Sequence, residues 1–151
     1  MLWPKFRNAL LATVAVMAAT LASSVSSALD ASNTGDKVVV TPLASTTTTA
    51  AGQAITLPQK NVQVLVSTFD IPPGATLPVH KHPSARYAYV LEGQLQVTNA
   101  ETGKSSSYKK GDFIVEMIDV WHQGANVGAE PVRLLVIDQV EQGASNTVLK
   151  Q

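Results

Sequence analysis

The sequence predicts an all-β protein, a small closed barrel or jelly roll, and three observations carry that reading. From Lys37 onward, short runs rich in Val, Ile, Leu and Tyr are separated by Gly, Pro, Asn and Asp. No window of helical length keeps a 3.6-residue apolar period, whereas several stretches keep a period of two. Nine short strand candidates also crowd into about 120 residues, and closing the sheet on itself is how such a chain avoids exposed edges.

The candidate strands in order are 37–42, 62–69, 76–82, 86–92, 94–99, 105–109, 113–117, 120–123 and 132–139. Val62, Val64 and Val66 share one parity, as do Leu95 and Val97, with Gln94, Gln96 and Thr98 on the solvent side. Residues 99–104 make a polar hairpin loop, and Gly93 marks a tight bend between two strands. The Thr-rich stretch 44–53 has a linker's composition, but Thr also favours strands, so it is read as an ordered N-terminal strand and loop wrapping the barrel. The resulting organisation is a signal peptide at 1–28, an N-terminal strand and loop at 29–60, a barrel domain at 61–140 and a C-terminal tail at 141–151. A core of that size stands without disulfides.

The first 28 residues carry the pattern of an export signal. Lys5 and Arg7 precede an almost unbroken apolar run over 9–21, and Ser26 and Ala28 supply small residues at the −3 and −1 positions. The competing reading is a membrane anchor, but thirteen residues at about 1.5 Å each reach about 20 Å of a hydrocarbon core about 30 Å thick. The expected product is exported, periplasmic or secreted, with no stable membrane association after cleavage. Removing Lys5 and Arg7 from eleven basic residues leaves nine against eleven acidic ones, a mildly acidic mature chain.

Composition excludes several chemistries. With no Cys, the chain has no disulfide, thiolate zinc site, iron–sulfur cluster or cysteine nucleophile. Basic residues are scattered apart from Lys109-Lys110, so no stripe exists to neutralise phosphates and no nucleic-acid partner is expected. Nothing resembles a Ser–His–Asp triad, a phosphate loop or a zincin helix.

The three histidines carry the functional argument. His80 and His82 lie two apart on a strand-like segment and so project to one face, which in a small barrel can be the interior. His122 is the third, and no histidine is left over. A lone His is most simply a surface or core residue. A His-x-His pair that meets a third His fits a metal site, because neutral imidazole ligates Zn, Cu, Fe and Ni.

At these residues the chain resembles a known family. Gly74-x5-His80-x-His82-x3-Arg86-x6-Gly93 has the spacing of the first cupin motif, and Gly111-x5-Met117-x-Asp119-x2-His122-x3-Asn126 that of the second. The resemblance, over about 60–140, implies a cupin β-barrel, a double-stranded β-helix of jelly-roll type. It also implies a divalent metal, Fe, Zn, Cu, Ni or Mn, held by His80, His82 and His122. Gly74, Gly93 and Gly111 become turn positions, and Asn126 the structural Asn closing the second motif. A possible homodimer is a further implication, with the strand around Val38 to Thr41 as the contact.

The departures from the family pattern matter as much. Arg86 stands where the family usually has a Glu ligand, and Met117 and Asp119 replace the usual Pro and Gly. A guanidinium has no lone pair, so it cannot ligate and repels a metal it faces. The site is then three neutral imidazoles with open positions suited to water, dioxygen or an anionic chelating ligand. Arg86 either points inward and clamps a substrate carboxylate or turns outward at the barrel mouth. On the alternation Phe113, Val115, Met117, Glu116 falls on the opposite face and is read as solvent-facing. Tyr87 and Tyr89 share a parity and either line the cavity, as substrate-binding candidates alongside Arg86, or pack the barrel. Trp121 faces away from the metal, into a packing or dimer surface.

Two functional classes follow. One is an exported metal-dependent enzyme, a dioxygenase-like oxidoreductase acting on a small molecule. The other is a non-catalytic cupin that binds metal or a small ligand, with a vestigial metal site as its extreme. No catalytic residue is identified in either. The export reading is checked by N-terminal sequencing of the secreted form, which should begin at Leu29. An intact Met1 on a membrane-bound product would identify the apolar run as an anchor.

Overall fold

The computed structural model describes residues 37–151. The expected signal segment, 1–28, lies outside the described residues. Contacts divide the chain at Val40, and the unit Thr41–Gln151 holds every strand found among the described residues. Among the described residues there is no α-helix. The strands are β1 Val62–Ile71, β2 His80–Lys81, β3 Arg86–Glu92, β4 Gln94–Asn99, β5 Ser105–Lys109, β6 Phe113–Val115, β7 His122–Asn126, β8 Val132–Glu141 and β9 Val148–Leu149. They form two sheets, β1-β8-β3-β6 and β5-β4-β7-β2-β9, with every strand pair antiparallel. The chain changes sheet at each connection except β4 to β5, which is the weave of a jelly roll.

Three elements differ from the sequence reading. No strand forms at 37–42, where every side chain is exposed; the ordered part of the N-terminal region is a bridge between Thr48 and Ala54. The expected strand 76–82 contracts to His80–Lys81 plus a bridge from Thr76 to Ala125. Pro78 explains the interruption, since it has no N–H to give a ladder. The segment 141–151, expected as a tail, contributes β9, which pairs His80 with Leu149 and Lys81 with Val148. Two apolar residues between polar neighbours are too short a run for a period to show.

The core lies between the sheets and follows the period of two. Along β8, Val132, Leu134, Val136 and Val140 are buried, while Arg133 between them is exposed. Ala88 pairs with Val136 and Val90 with Leu134 across the β3–β8 ladder, and Leu95, Ile114 and Ile71 complete the cluster. Each Val, Leu or Ile side chain among them gains roughly 1.5–3 kcal/mol from leaving water. At the sheet's edge β1 keeps Val62, Val64 and Val66 exposed.

The same register sets a buried ion pair. Arg86 stands directly opposite Asp138, on the inward parity of both strands. Arg86 Nε donates to Asp138 Oδ1 at 2.7 Å and Nη2 to Oδ2 at 2.9 Å, with both residues buried. Asn146 Nδ2 donates to Asp138 Oδ1 at 2.6 Å, and Arg86 Nη2 also donates to Thr147 Oγ1 at 3.3 Å. Of the two orientations open to Arg86, the fold takes the inward one, with a carboxylate of its own chain as partner.

Gly93 turns the chain from β3 to β4 with φ of +76°, and a Cβ there would lie 2.4 Å from the Pro131 carbonyl oxygen and 2.9 Å from Val132 Cα. Gly74 has the same φ but nothing within 4 Å of an added Cβ. Gly93→Ala should therefore cost on the order of 3 kcal/mol, from both strain and collision, and Gly74→Ala about 1 kcal/mol from strain alone. Urea denaturation of the two variants measures the difference, and equal losses would refute the close approach. By the same measurement, Arg86→Ala should cost about 3–5 kcal/mol by leaving Asp138 charged and unpaired, while Arg86→Met with Asp138→Leu costs far less.

Candidate metal centre

Strand pairing brings the imidazoles together. His80 on β2 stands directly opposite His122 on β7, and their ring centroids are 4.5 Å apart. His82 lies just past β2, bridged to Ile118, and its ring centroid is 4.8 Å from that of His80 and 4.9 Å from that of His122. Its carbonyl accepts from Asp119 N at 2.9 Å, with Asp119 at φ of +55°. Asp119 thus occupies, at a cost in strain, the left-handed conformation for which glycine is the ordinary choice. All three imidazoles are buried.

The ring orientations are fixed by hydrogen bonds on the far side. His80 Nδ1 donates to the Pro78 carbonyl at 2.7 Å, His82 Nδ1 to the Asn146 carbonyl at 2.6 Å, and His122 Nδ1 to the Val120 carbonyl at 2.8 Å. A carbonyl can only accept, so each Nδ1 carries a hydrogen and each Nε2 is left for the centre of the cluster. This is the arrangement in which metal-ligating histidines are usually held.

The fourth member is Glu116, and here the sequence reading is corrected. Glu116 was expected on the solvent side; its side chain is only 14% exposed, and Oε2 lies 3.1 Å from His82 Nε2 and 3.3 Å from His122 Nε2. The inward parity of β6 is that of Ile114, a core residue, and Glu116 continues it. Phe113, taken as inward, is instead exposed and stacks on Tyr87 at 6.0 Å. The segment Phe-Ile-Val has no polar residue to reveal its parity, which is why alternation failed there. Across the ladder Glu116 N donates to the Arg86 carbonyl at 2.9 Å, so the two charged residues are neighbours on one face.

Electrostatics keep the Glu116 carboxyl ionised. Burial alone would raise it, but hydrogen bonds from His122 and His82, the His82 charge and the Arg86 guanidinium outweigh that and hold it well below the usual carboxylate range. Burial pushes the His80 imidazole below its ordinary value; the charges of His122 and His82 add to this, and the Pro78 carbonyl opposes it. Arg86 Nη1 lies 3.5 Å from His82 Nε2, at the outer limit of a hydrogen bond.

One ligand atom from each of His80, His82, Glu116 and His122 lies within 4.8 Å of the others. Three nitrogens and one carboxylate oxygen suit Zn, Fe, Cu, Ni or Mn, so the residues present fit the divalent ion that the motifs imply. The expectation of a centre with no carboxylate is replaced by one that has Glu116.

The remaining predicted residues are placed as follows. Tyr87 and Tyr89 alternate with the buried Arg86, Ala88 and Val90 and so face away from the cluster, and the Tyr87 hydroxyl donates to Gln139 Oε1 at 3.0 Å. Gly74, Gly93 and Gly111 all have positive φ, at turns. Asn126 is buried, its Nδ2 donating to the carbonyls of Ile71 and Glu130 and its Oδ1 accepting from Gly128 N, which closes the loop between β7 and β8. Trp121 lies under Lys81 Nζ at 5.3 Å and Lys150 Nζ at 5.9 Å. Sequence reasoning missed Asp138 and Asn146. Asp138 had a signal, being the one acid on the apolar parity of β8.

Comparison with known proteins agrees with this architecture. Residues 67–138 match the family model described as Cupin domain. No curated protein matches the chain. Among solved structures, the polyketide cyclase RemF from Streptomyces resistomycificus is similar at 22% identity and a TM-score of 0.50, over 58% of this chain and 62% of that one. The DMSP lyase DddQ from Ruegeria pomeroyi DSS-3 is similar at 20% identity and a TM-score of 0.50, over 58% and 43%. The oxalate decarboxylase of Lactobacillus farciminis follows at 22% identity and 0.48, over 57% and 26%. The match spans less than two thirds of each of these structures, and the first two, at identities this low, speak to fold alone. With two motifs in order, a jelly-roll weave and the family match all falling on the same residues, the stretch 67–138 is a cupin domain.

Proposed function

We propose that this protein is an exported cupin that holds a divalent metal ion through His80, His82, His122 and Glu116 and presents that ion to a small molecule. One observation carries the reading: four donor atoms from three separate segments converge within 4.8 Å, with every imidazole turned so that Nε2 faces the common point. When bound, a divalent ion there polarises a coordinated ligand or exchanges electrons with it, according to the metal. The export part rests on Lys5, Arg7, the apolar run and the small residues at 26 and 28.

Arg86 and Glu116 have distinct roles in this reading. Glu116 supplies the negative charge that a divalent cation needs. Arg86, neutralised by Asp138, lines the cavity beside the cluster and ligates nothing. In the metal-free protein, the contacts of His82 Nε2 and His122 Nε2 with the ionised Glu116 each need a hydrogen between nitrogen and oxygen. A metal ion takes the place of those hydrogens, so binding releases protons.

The test is elemental analysis with calorimetry on the purified protein. About one equivalent of divalent metal is expected, with roughly one to two protons released, read from titrations in buffers of different ionisation enthalpy. Glu116→Gln should weaken binding by roughly 10- to 100-fold, and His82→Ala should weaken it at least as much. Wild-type affinity in Glu116→Gln would remove the carboxylate from the ligand set.

A further inference from the structure

Resting on the metal-binding reading above, we propose that the centre admits only a molecule of roughly two or three heavy atoms, dioxygen-sized, and that Val97 is the wall that sets this limit. The open side of the cluster is a cavity of about 30 Å³, bounded by His80, His122, Glu116 and Arg86 and otherwise by apolar side chains, Leu95 and Val97 among them. A single water needs about 10–15 Å³ measured this way, so the space holds roughly two. Sites for drug-sized ligands are about ten to thirty times larger.

A second, much larger cleft of about 430 Å³ opens on the other side of Val97. Asn99, Ser106, Tyr108, Met117 and the turn at 50–52 line it, and Val97 lines both spaces. Val97 lies on the inward parity of β4, between Leu95 at the metal cavity and Asn99 at the outer cleft. Its isopropyl group stands as a partition: a bulky molecule fits the outer cleft, but only a small one reaches the ion. The inner walls other than the ligands and Arg86 offer no hydrogen-bonding group. The fitting ligand is therefore compact, makes its polar contacts with the ion and Arg86, and leaves the rest of its surface against hydrocarbon. A diatomic such as dioxygen or nitric oxide, or a linear triatomic anion, has that character. A chelating phenol or diketone does not.

Gly124 supplies the opposite lever. It lines the inner cavity, and a Cβ there would lie 3.2 Å from Leu77 Cδ1 and 3.6 Å from Leu95 Cδ1, so an added methyl presses Leu77 aside and narrows the cavity, with no metal-ligating atom among its nearest neighbours.

The experiment uses the full protein loaded with cobalt(II), whose visible bands report changes of coordination, titrated with azide and with catechol. Azide should shift the bands saturably, and catechol should leave them unchanged. Val97→Ala should join the two spaces and strengthen the catechol response at least roughly tenfold, and Gly124→Ala should weaken azide binding by roughly tenfold with cobalt stoichiometry unchanged. Catechol shifting the wild-type bands as readily as azide, or azide leaving them unmoved, overturns the size limit while the bound cobalt leaves the metal reading standing. Failure to take up cobalt at all removes the metal reading and this inference with it. A folded Val97→Ala that still ignores catechol shows that Val97 is not the wall. Should that variant not fold, the wild-type contrast and Gly124→Ala decide the matter.

Discussion

The buried pair of Arg86 and Asp138 is the interaction on which the centre depends. A guanidinium inside a core of Val, Leu and Ile is tolerable only if its charge is matched and its hydrogens are used, because an unpaired buried charge costs several kcal/mol. Asp138 meets it with two parallel hydrogen bonds. The free capacity of Asp138 Oδ1 goes to Asn146 Nδ2, and Asn146 in turn supplies the carbonyl that orients His82. Asn146 Oδ1 also accepts from Ser84 N at 2.8 Å, tying the residue to the loop before β3. The pair thus extends through the C-terminal segment to a candidate ligand. Among the described residues no buried side-chain nitrogen or oxygen lacks a partner, which is what a polar cluster at such depth requires.

Charge bookkeeping explains why an arginine can lie beside a cation site. Three histidines facing Arg86 alone would be a positive site that repels a metal. With the imidazoles neutral, as they are when they ligate, Asp138 cancelling Arg86 and Glu116 added leave one surplus negative charge to meet the ion. The sign of the site is therefore set by two residues that belong to neither ligand position of the first motif. The held carboxylate also gives the cluster cohesion without metal, since it accepts from two of the three imidazoles at once.

Much of the fold was legible because strands with one buried face write it as alternation. Along β8, apolar Val132, Leu134, Val136 and Val140 alternate with residues that are more exposed, and the polar series Gln94, Gln96, Thr98 marked the outer side of β4. The failures share a cause: a pattern too short or too uniform to define a face. Phe113–Val115 is apolar throughout, so either parity was admissible and the wrong one hid Glu116. Val148–Leu149 is two residues long, and its role becomes visible only when β2 is found beside it. The histidines were legible from spacing alone, because His80 and His82 share a strand face whatever the tertiary structure does. Their second partners, the carbonyls of Pro78, Val120 and Asn146, are backbone atoms with no sequence signature.

The position of the carboxylate shows what a motif does and does not specify. Residues 86 and 116 are ladder neighbours on the same inward face, joined by the bond from Glu116 N to the Arg86 carbonyl, so side chains of similar reach from either can approach the same point between His82 and His122. A carboxylate absent from β3 is supplied from the end of β6, one strand away. The place vacated in the first motif is filled by a cation that its new neighbour Asp138 neutralises and that itself favours ionisation of Glu116. Such an arrangement places a carboxylate at a point in space, and the sequence positions able to supply it follow from the ladder. A departure at a ligand position is therefore best read against the residues its strand register places beside it before the site is counted as one ligand short.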